Sequence, residues 1–532
     1  MLVHDFLRQS AHRTPDKTSL VFGTRRYSYA QFNHAVQALA AFMADNGLRR
    51  GDRVVIHAGN QPETAISIFG VLLAGGCFSV VNPGVKEPKL KKILTNAEPR
   101  FVVTSKDGEP LMESAGADLV QPPVLLYTDY DRAETGIPVI IDSIRPFQGP
   151  RMIDDDLAAI IYTSGSTGEP NGVTMSHRNM VAASTSITSY LENRSEDIIL
   201  NMLPLSFDYG LYQLIMSVQL GATLVVEPTF AFPYQIIELI RQHQVTGLPL
   251  VPTIMAILLQ LESMDRETFP SVRYISNTAA PLPPSYVPRL QKAFPNARIF
   301  SMYGLTECKR VSYLPPELLD DKPSSVGVAM PNLEVMIVDE KGEEVPRGKV
   351  GELVVRGATV MRGYWRDPEA TARRLRSGKY PWEQVLYTGD LFSMDDEGYL
   401  YFVARTDDII KCRGERVHPK EVEDALYLLE EVVHARVVGV PDELCGQAIR
   451  AEIVLKEGAT IDEKGVLAHC RSHLEPTLIP QEVAIVPSLS LTDSGKIRRT
   501  IDDVLGQATP ESGAVAAKPR RTRQSKAKEQ DV

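Results

Sequence analysis

The chain has 532 residues, 43% hydrophobic and 23% charged, an ordinary globular composition that is too long for one core and enough for roughly three or four domain-sized units. Its formal charge of −10, from 57 basic and 67 acidic residues, excludes a body-wide cationic field for nucleic acid. Five cysteines are scattered without a Cys-x-x-Cys pair, which argues against a disulfide framework or structural zinc site and fits a reducing, cytoplasmic setting.

In chain order, the first residues carry Asp5, Arg8, Arg13, Asp16 and Lys17 and lack the apolar run of a signal peptide. Ser28 and Gln31 form a capping box for a helix, with Phe32, Val36, Leu39, Ala40 and Met43 at helical spacing until Gly47. Arg53–Ala58 reads as a strand, Glu63–Leu73 as a helix and Cys77–Val81 as a second strand. This alternation predicts a parallel sheet covered on both faces. It continues through Leu220–Glu227, Pro233–Gln242 and Arg298–Tyr303. The apolar stretches Leu214–Val226 and Leu248–Leu261 are broken by Gln219 or by prolines and fall short of the ~20 residues of a membrane span. Near residue 330 the pattern changes to short runs between Gly, Pro and Lys turns: Leu333–Asp339, Gly351–Arg356 and Tyr399–Val403, as in antiparallel sheet. Beyond Arg405 a small α+β unit is expected, with a helix over Pro419–Leu429 and strands at Ala435–Val440 and Ala451–Leu455. From Gly506 the composition turns to Ala, Pro, Lys, Arg and Gln and predicts a disordered, basic tail.

The strongest chemical signal is Tyr162-Thr-Ser-Gly-Ser-Thr-Gly-Glu-Pro-Asn-Gly172, between the apolar strand Leu157–Ile161 and a helix starting near Ser176. Hydroxyls and glycines so crowded do not serve a core, but they can wrap a polyphosphate with N–H and O–H donors. No Gly-Lys-Ser/Thr closes the loop, so it is not a Walker A motif. Tyr303-Gly-Leu-Thr-Glu307 and Tyr387-Thr-Gly-Asp390 each follow a strand. Arg405-Thr-Asp-Asp-Ile-Ile-Lys411 and Leu491-Thr-Asp-Ser-Gly-Lys496 come after them.

In this order and spacing, the set resembles the adenylate-forming superfamily of acyl-CoA synthetases, adenylation domains and firefly-type luciferases, from Leu2 to about Leu505. The resemblance implies an α/β fold. An N-terminal AMP-binding domain, residues 1–404, holds doubly covered mixed sheets and a small β-barrel-like subdomain. A small mobile α+β domain, 405–505, carries the catalytic lysine, and the basic tail, 506–532, follows. It further implies that ATP and a carboxylic acid form an acyl-AMP with release of pyrophosphate. The acyl group then passes to a phosphopantetheine thiol, that of coenzyme A or of an acyl or peptidyl carrier protein. By the same resemblance Thr163, Ser164, Gly165, Ser166, Thr167 and Gly168 hold phosphates, Glu307 holds Mg²⁺, and Thr306 lies beside the α-phosphate. Asp390 and Arg405 take the ribose. Thr278, Ala279, Ala280 and Pro281 sit where the adenine cradle should be, with Tyr303 stacking on the base, and Gly304 is a further cofactor-binding residue. Lys496 bridges the substrate carboxylate and α-phosphate as a mobile point charge, and Asp407 is the hinge.

The sequence departs from the pattern at Asn171, where the family's phosphate loop usually has lysine. On the substrate side, Phe207-Asp208-Tyr209 aligns with the Phe-Asp motif of amino-acid adenylation domains, whose aspartate binds an α-ammonium; Asp208 could instead cap the following helix. Arg310 falls on the pocket wall and could bind an acidic substrate group, pair with Asp208, or lie outside. Cys308 reads as packing. The expectation is an AMP-forming acid–thiol ligase with a non-amino acid substrate. Its rivals are a stand-alone amino-acid ligase loading a carrier protein, favoured by Asp208, and an inactive nucleotide-binding or scaffolding protein, favoured by Asn171.

Overall fold

The structure, a computed structural model, describes residues 1–130, 134–143, 146–164, 170–412, 415–442, 446–491 and 497–498. The predicted capping box is present: Gln31 N donates to Ser28 Oγ at 3.2 Å and Ser28 N to Gln31 Oε1 at 2.8 Å, opening the helix Tyr29–Asp45. The helix Pro62–Leu73 is buried from Pro62 to Leu72, which is why its apolar pattern runs right round its circumference. Its one carboxylate there, Glu63, is paired with Arg25.

Two largely parallel sheets form the N-terminal body. In the nine-stranded sheet, the strands Thr18–Phe22, Thr223–Val226, Ile198–Asn201, Gly247–Leu250, Tyr274–Asn277 and Arg298–Tyr303 lie parallel, and short antiparallel strands close both edges. In the seven-stranded sheet, Leu157–Ser164 runs parallel to Cys77–Val81 and antiparallel to Pro170–Ser176. Open parallel sheets bind ligands beyond the carboxyl ends of their strands, and the candidate motifs emerge from those ends.

The predicted antiparallel region is a five-stranded sheet of Leu333–Val338, Gly351–Gly357, Leu375–Ser377, Gln384–Met394 and Leu400–Arg405. From Arg405 the chain passes through a 3₁₀ turn, Thr406–Asp408, into a second five-stranded sheet with the helices Pro419–Leu426 and Glu463–His473 against it. This last unit has its own core, which includes the buried ion pair of Arg436 with Glu452. The helix expected over Pro419–Leu429 stops at Leu426, where Tyr427 turns out to accept a hydrogen bond from Ala435 N at 3.1 Å. The tail from residue 506 lies outside the described residues. Among the described residues, no helix is long and apolar enough to cross a membrane.

Candidate active site

The phosphate-loop motif is the tip of a β-hairpin. Cross-strand register sets Tyr162 opposite Gly172, Thr163 opposite Asn171 and Ser164 opposite Pro170. Directly opposed residues share a face, so Asn171 stands beside Thr163 at the base of the tip. A long contact from Thr163 Oγ1 to Asn171 O, 3.5 Å, joins the strands there. Gly172 has no room for a side chain: a Cβ would lie 2.8 Å from Ile160 and 3.3 Å from Trp365, whose backbone N–H donates to Gly172 O at 2.7 Å. Gly165, Ser166, Thr167, Gly168 and the side chain of Ser164 lie outside the described residues.

Behind the hairpin, the strand Gly363–Tyr364 pairs with Val173 and Thr174. Tyr364 Oη donates to Glu307 Oε1 at 2.7 Å, and Met361 N donates to Glu307 O at 2.7 Å. Glu307, which follows the strand Arg298–Tyr303, is thereby fixed to the hairpin. Burial, with Glu307 adjacent, holds the Tyr364 hydroxyl protonated. Tyr364 was not legible as a site residue; the Gly363-Tyr364-Trp365 run is the only trace it leaves in the sequence.

Asp390, the carboxylate expected on the ribose side, depends on a bulge. Glu352 faces Leu391 and Val354 faces Tyr387, so residues 388–390 stand opposite Leu353 alone. Tyr387–Asp390 therefore does not follow a strand, as its composition suggested, but lies inside Gln384–Met394. Gly389, at φ +73°, makes the turn that a side chain would resist, and Thr388 Oγ1 closes it on Leu353 O at 2.7 Å. Asp390 is directly opposite Arg405, with Nε 3.6 Å from Oδ1. Tyr303 Oη donates to the other oxygen at 2.5 Å, while its ring packs on Phe392, centroids 4.8 Å apart. Tyr303 thus reaches Asp390 as well as lining the expected base site. Burial raises the Asp390 pKa against the pull of Arg405 and Tyr303, and the charge of Glu307 adds to the rise.

Thr278, Ala279 and Ala280 leave the strand Tyr274–Asn277, which is in register beside Arg298–Tyr303 with Asn277 opposite Ser301. Ala279 has φ +80°, unusual for any residue with a Cβ and tolerable here because its side chain is only a methyl.

At the acid end, Asp208 is the first residue of the helix Asp208–Leu220 and Phe207 holds the cap position, so Asp208 is an acidic residue of the first turn and not the cap. Nor does Arg310 pair with it. Its partner is Lys309, whose Nζ lies 2.7 Å from Asp208 O and 3.2 Å from Oδ2. The reason is a tight turn. Arg310 N donates to Cys308 O at 2.9 Å across Lys309, which has φ +67°, the strained form of γ-turn. Such a residue costs about 1–3 kcal/mol. Gly304 admits the turn, since a Cβ there would lie 2.5 Å from Lys309 O and 2.9 Å from Arg310 Cα. Lys309 and Arg310 are each 2% exposed. Burial lowers the Lys309 pKa to about 7 against the pull of Asp208. Arg310 lies over the Tyr209 ring at 4.9 Å, and Tyr209 Oη donates to Ser276 O at 2.7 Å, tying this end to the Thr278 strand. Cys308 is fully buried and its thiol held protonated, as packing predicts. Lys496 and the side chain of Asp407 lie outside the described residues.

The fold and the relatives are those of adenylating acid–thiol ligases. The family model for AMP-binding enzymes matches residues 7–365 and that for the AMP-binding enzyme C-terminal domain matches 421–496, so the chain belongs to the AMP-binding enzyme family. It is 31% identical to a long-chain-fatty-acid–CoA ligase of Bacillus subtilis (strain 168), over 93% of each chain. It is similar to the ATP-bound crystal structure of MatB from Rhodopseudomonas palustris, at 27% identity and TM-score 0.85 over 95% of this chain and 98% of that one. A third relative is the o-succinylbenzoate CoA synthetase MenE of Bacillus subtilis in complex with its acyl-adenylate intermediate, at 26% identity and TM-score 0.80, covering 92% and 96%.

Proposed function

We propose that the protein activates a carboxylic acid as its AMP ester with release of pyrophosphate, then transfers the acyl group to a phosphopantetheine thiol, that of coenzyme A. The observation that carries the reading is the pairing of Asp390 with Arg405 and Tyr303 beside a Glu307 fixed to the phosphate hairpin. The CoA ligases among its relatives favour coenzyme A over a carrier protein as acceptor.

A carboxylate attacking an α-phosphate brings two anions together, so the residues act by positioning and charge neutralisation. In this reading Thr163 to Gly168 grip the β- and γ-phosphates, and Thr306 orients the α-phosphate. The ribose hydroxyls donate to Asp390, taking the place of the Tyr303 hydroxyl. Lys496 neutralises the reacting oxygens. Among the described residues no cluster of three metal-ligating side chains exists. A lone Glu307 fits Mg²⁺, which is commonly held by one or two carboxylates together with substrate phosphates and would supply charge neutralisation on them. The unit beyond Arg405 turns about Asp407 between the two half-reactions, carrying Lys496 in and out.

Coenzyme A and a phosphopantetheinylated carrier protein, offered separately to enzyme supplied with acyl-AMP, test the acceptor. Thioester on coenzyme A is expected. Product only on the carrier protein would replace this reading by the carrier-loading one.

A further inference from the structure

We propose that the acid this enzyme activates carries a second carboxylate, and that Arg310 binds it. The inference rests on the AMP-forming reading above and names the substrate class of that site.

The acid end buries one acidic side chain and two basic ones, and only two of the three are paired. Asp208 is neutralised by Lys309, whose Nζ also lies over the Tyr212 ring at 4.4 Å. Arg310 is left over. It is 2% exposed, makes no ion pair among the described residues, and its Nε has no hydrogen-bond partner. Around it stand the Tyr209 ring and the phenol of Tyr190, neither of which is an anion. Tyr212 Oη, close enough to feel both Asp208 and Arg310, is likewise buried without a partner. A guanidinium in such surroundings is stable only with a counter-charge, and its planar fork matches a carboxylate. The Tyr190 phenol offers the guanidinium a neutral hydrogen bond, but Arg310 Nε and Tyr212 Oη are both left without an acceptor, as the complement of a carboxylate would be.

The backbone supports the same reading. A strained γ-turn at Lys309 and a missing Cβ at Gly304 are both needed to bring the two cations inward. A wall meant for an aliphatic or plain aromatic acid has no use for that strain. With Lys309 already on Asp208, an amino group on the substrate is optional: an ammonium would compete with Lys309 for the carboxylate. The shared requirement is the second acid group.

The test is ATP–pyrophosphate exchange by the wild-type full chain with hexanoate, benzoate, alanine, malonate, succinate and aspartate. The fastest exchange is expected with a two-carboxylate acid. A preference for aspartate would show an ammonium displacing Lys309 from Asp208; a preference for succinate or malonate would show the pair staying closed. Both support the proposal. Arg310→Gln should lower kcat/KM for the preferred acid by ~10²-fold or more while leaving the KM for ATP within about threefold. Fastest exchange with hexanoate, benzoate or alanine would overturn the proposal and leave the adenylation reading standing. An Arg310→Gln variant that loses ATP affinity but keeps its choice of acid would also overturn it, because the missing anion would then be the nucleotide's. No exchange with any acid would remove the adenylation reading and this inference with it. Should Arg310→Gln fail to fold, the wild-type panel decides alone.

Discussion

The two ends of the site are built on opposite electrostatic terms. At the proposed nucleotide end only the cation is open to water: the Arg405 side chain is 51% exposed and that of Asp390, 3.6 Å away, 11%. At the acid end the paired side chains of Lys309 and Asp208 are 2% and 9% exposed, and a second cation is buried beside them. An exposed pair is screened and adds little to folding, whereas a buried one is costly to break. Substitutions at the nucleotide end should therefore cost activity, and those at the acid end should cost stability as well.

The largest effect expected follows from that contrast. Asp208→Ala or Lys309→Met should each destabilise the protein by about 3–5 kcal/mol in denaturant unfolding, since each leaves a buried charge alone. The double variant should regain much of the loss. Additive losses would mean that the pair contributes nothing as a pair.

Next, Asp390→Ala and Lys496→Ala should each slow adenylate formation by ~10²-fold or more with the melting temperature unchanged, the scale of one lost transition-state contact. Transfer from supplied acyl-AMP should survive in Lys496→Ala. Equal loss of both half-reactions would contradict the domain rotation.

A region remote from both ends gives a third test. His177 is buried and His4 half-buried, edge to face and 5.6 Å apart, with pKa values lowered to about 3 and about 4, first by loss of water. Val3 N donates to His177 Nδ1 at 3.1 Å, which only an unprotonated nitrogen accepts. Below pH ~6.5 the unfolded chain binds protons that the native state refuses. Stability is thus complete above that pH and falls as pH drops toward the folded values, by up to roughly 1.4 kcal/mol per unit per histidine. His177→Asn should flatten this slope in unfolding curves between pH 6.5 and 4. The smallest effect belongs to the hairpin. Asn171→Lys should raise the adenylation rate or lower the KM for ATP, and a loss in both would show a tip rebuilt around asparagine.

The nucleotide end was legible because its pieces are contiguous. The motifs at 162–172, 303–307 and 387–390 each carry their own backbone geometry, and the family resemblance in their order and spacing implied Asp390, Arg405 and Glu307 as parts of one site. Tyr364 was hidden because it reaches Glu307 across 57 positions of sequence. The acid end was half legible. Asp208 and a nearby cation were expected to meet, but which of two adjacent cations faced the aspartate was set by a positive φ at Lys309 and the space above Gly304. Neither is written in residue type, since lysine is a poor sign of left-handed backbone. The alternation of strand and helix showed the parallel sheets, whereas the bulge around Thr388–Asp390 passed for the end of a strand because its Gly is also a turn signal.

The central claim is that the enzyme cleaves ATP between the α- and β-phosphates. The direct measurement is a single turnover with ATP labelled at the α-phosphate, Mg²⁺ and the preferred acid, to which coenzyme A is added second, with the nucleotides separated before and after that addition. The account predicts label in acyl-AMP before thiol is added and in AMP after it, with pyrophosphate released and Asp390→Ala slow in the first step. Label accumulating in ADP would contradict it.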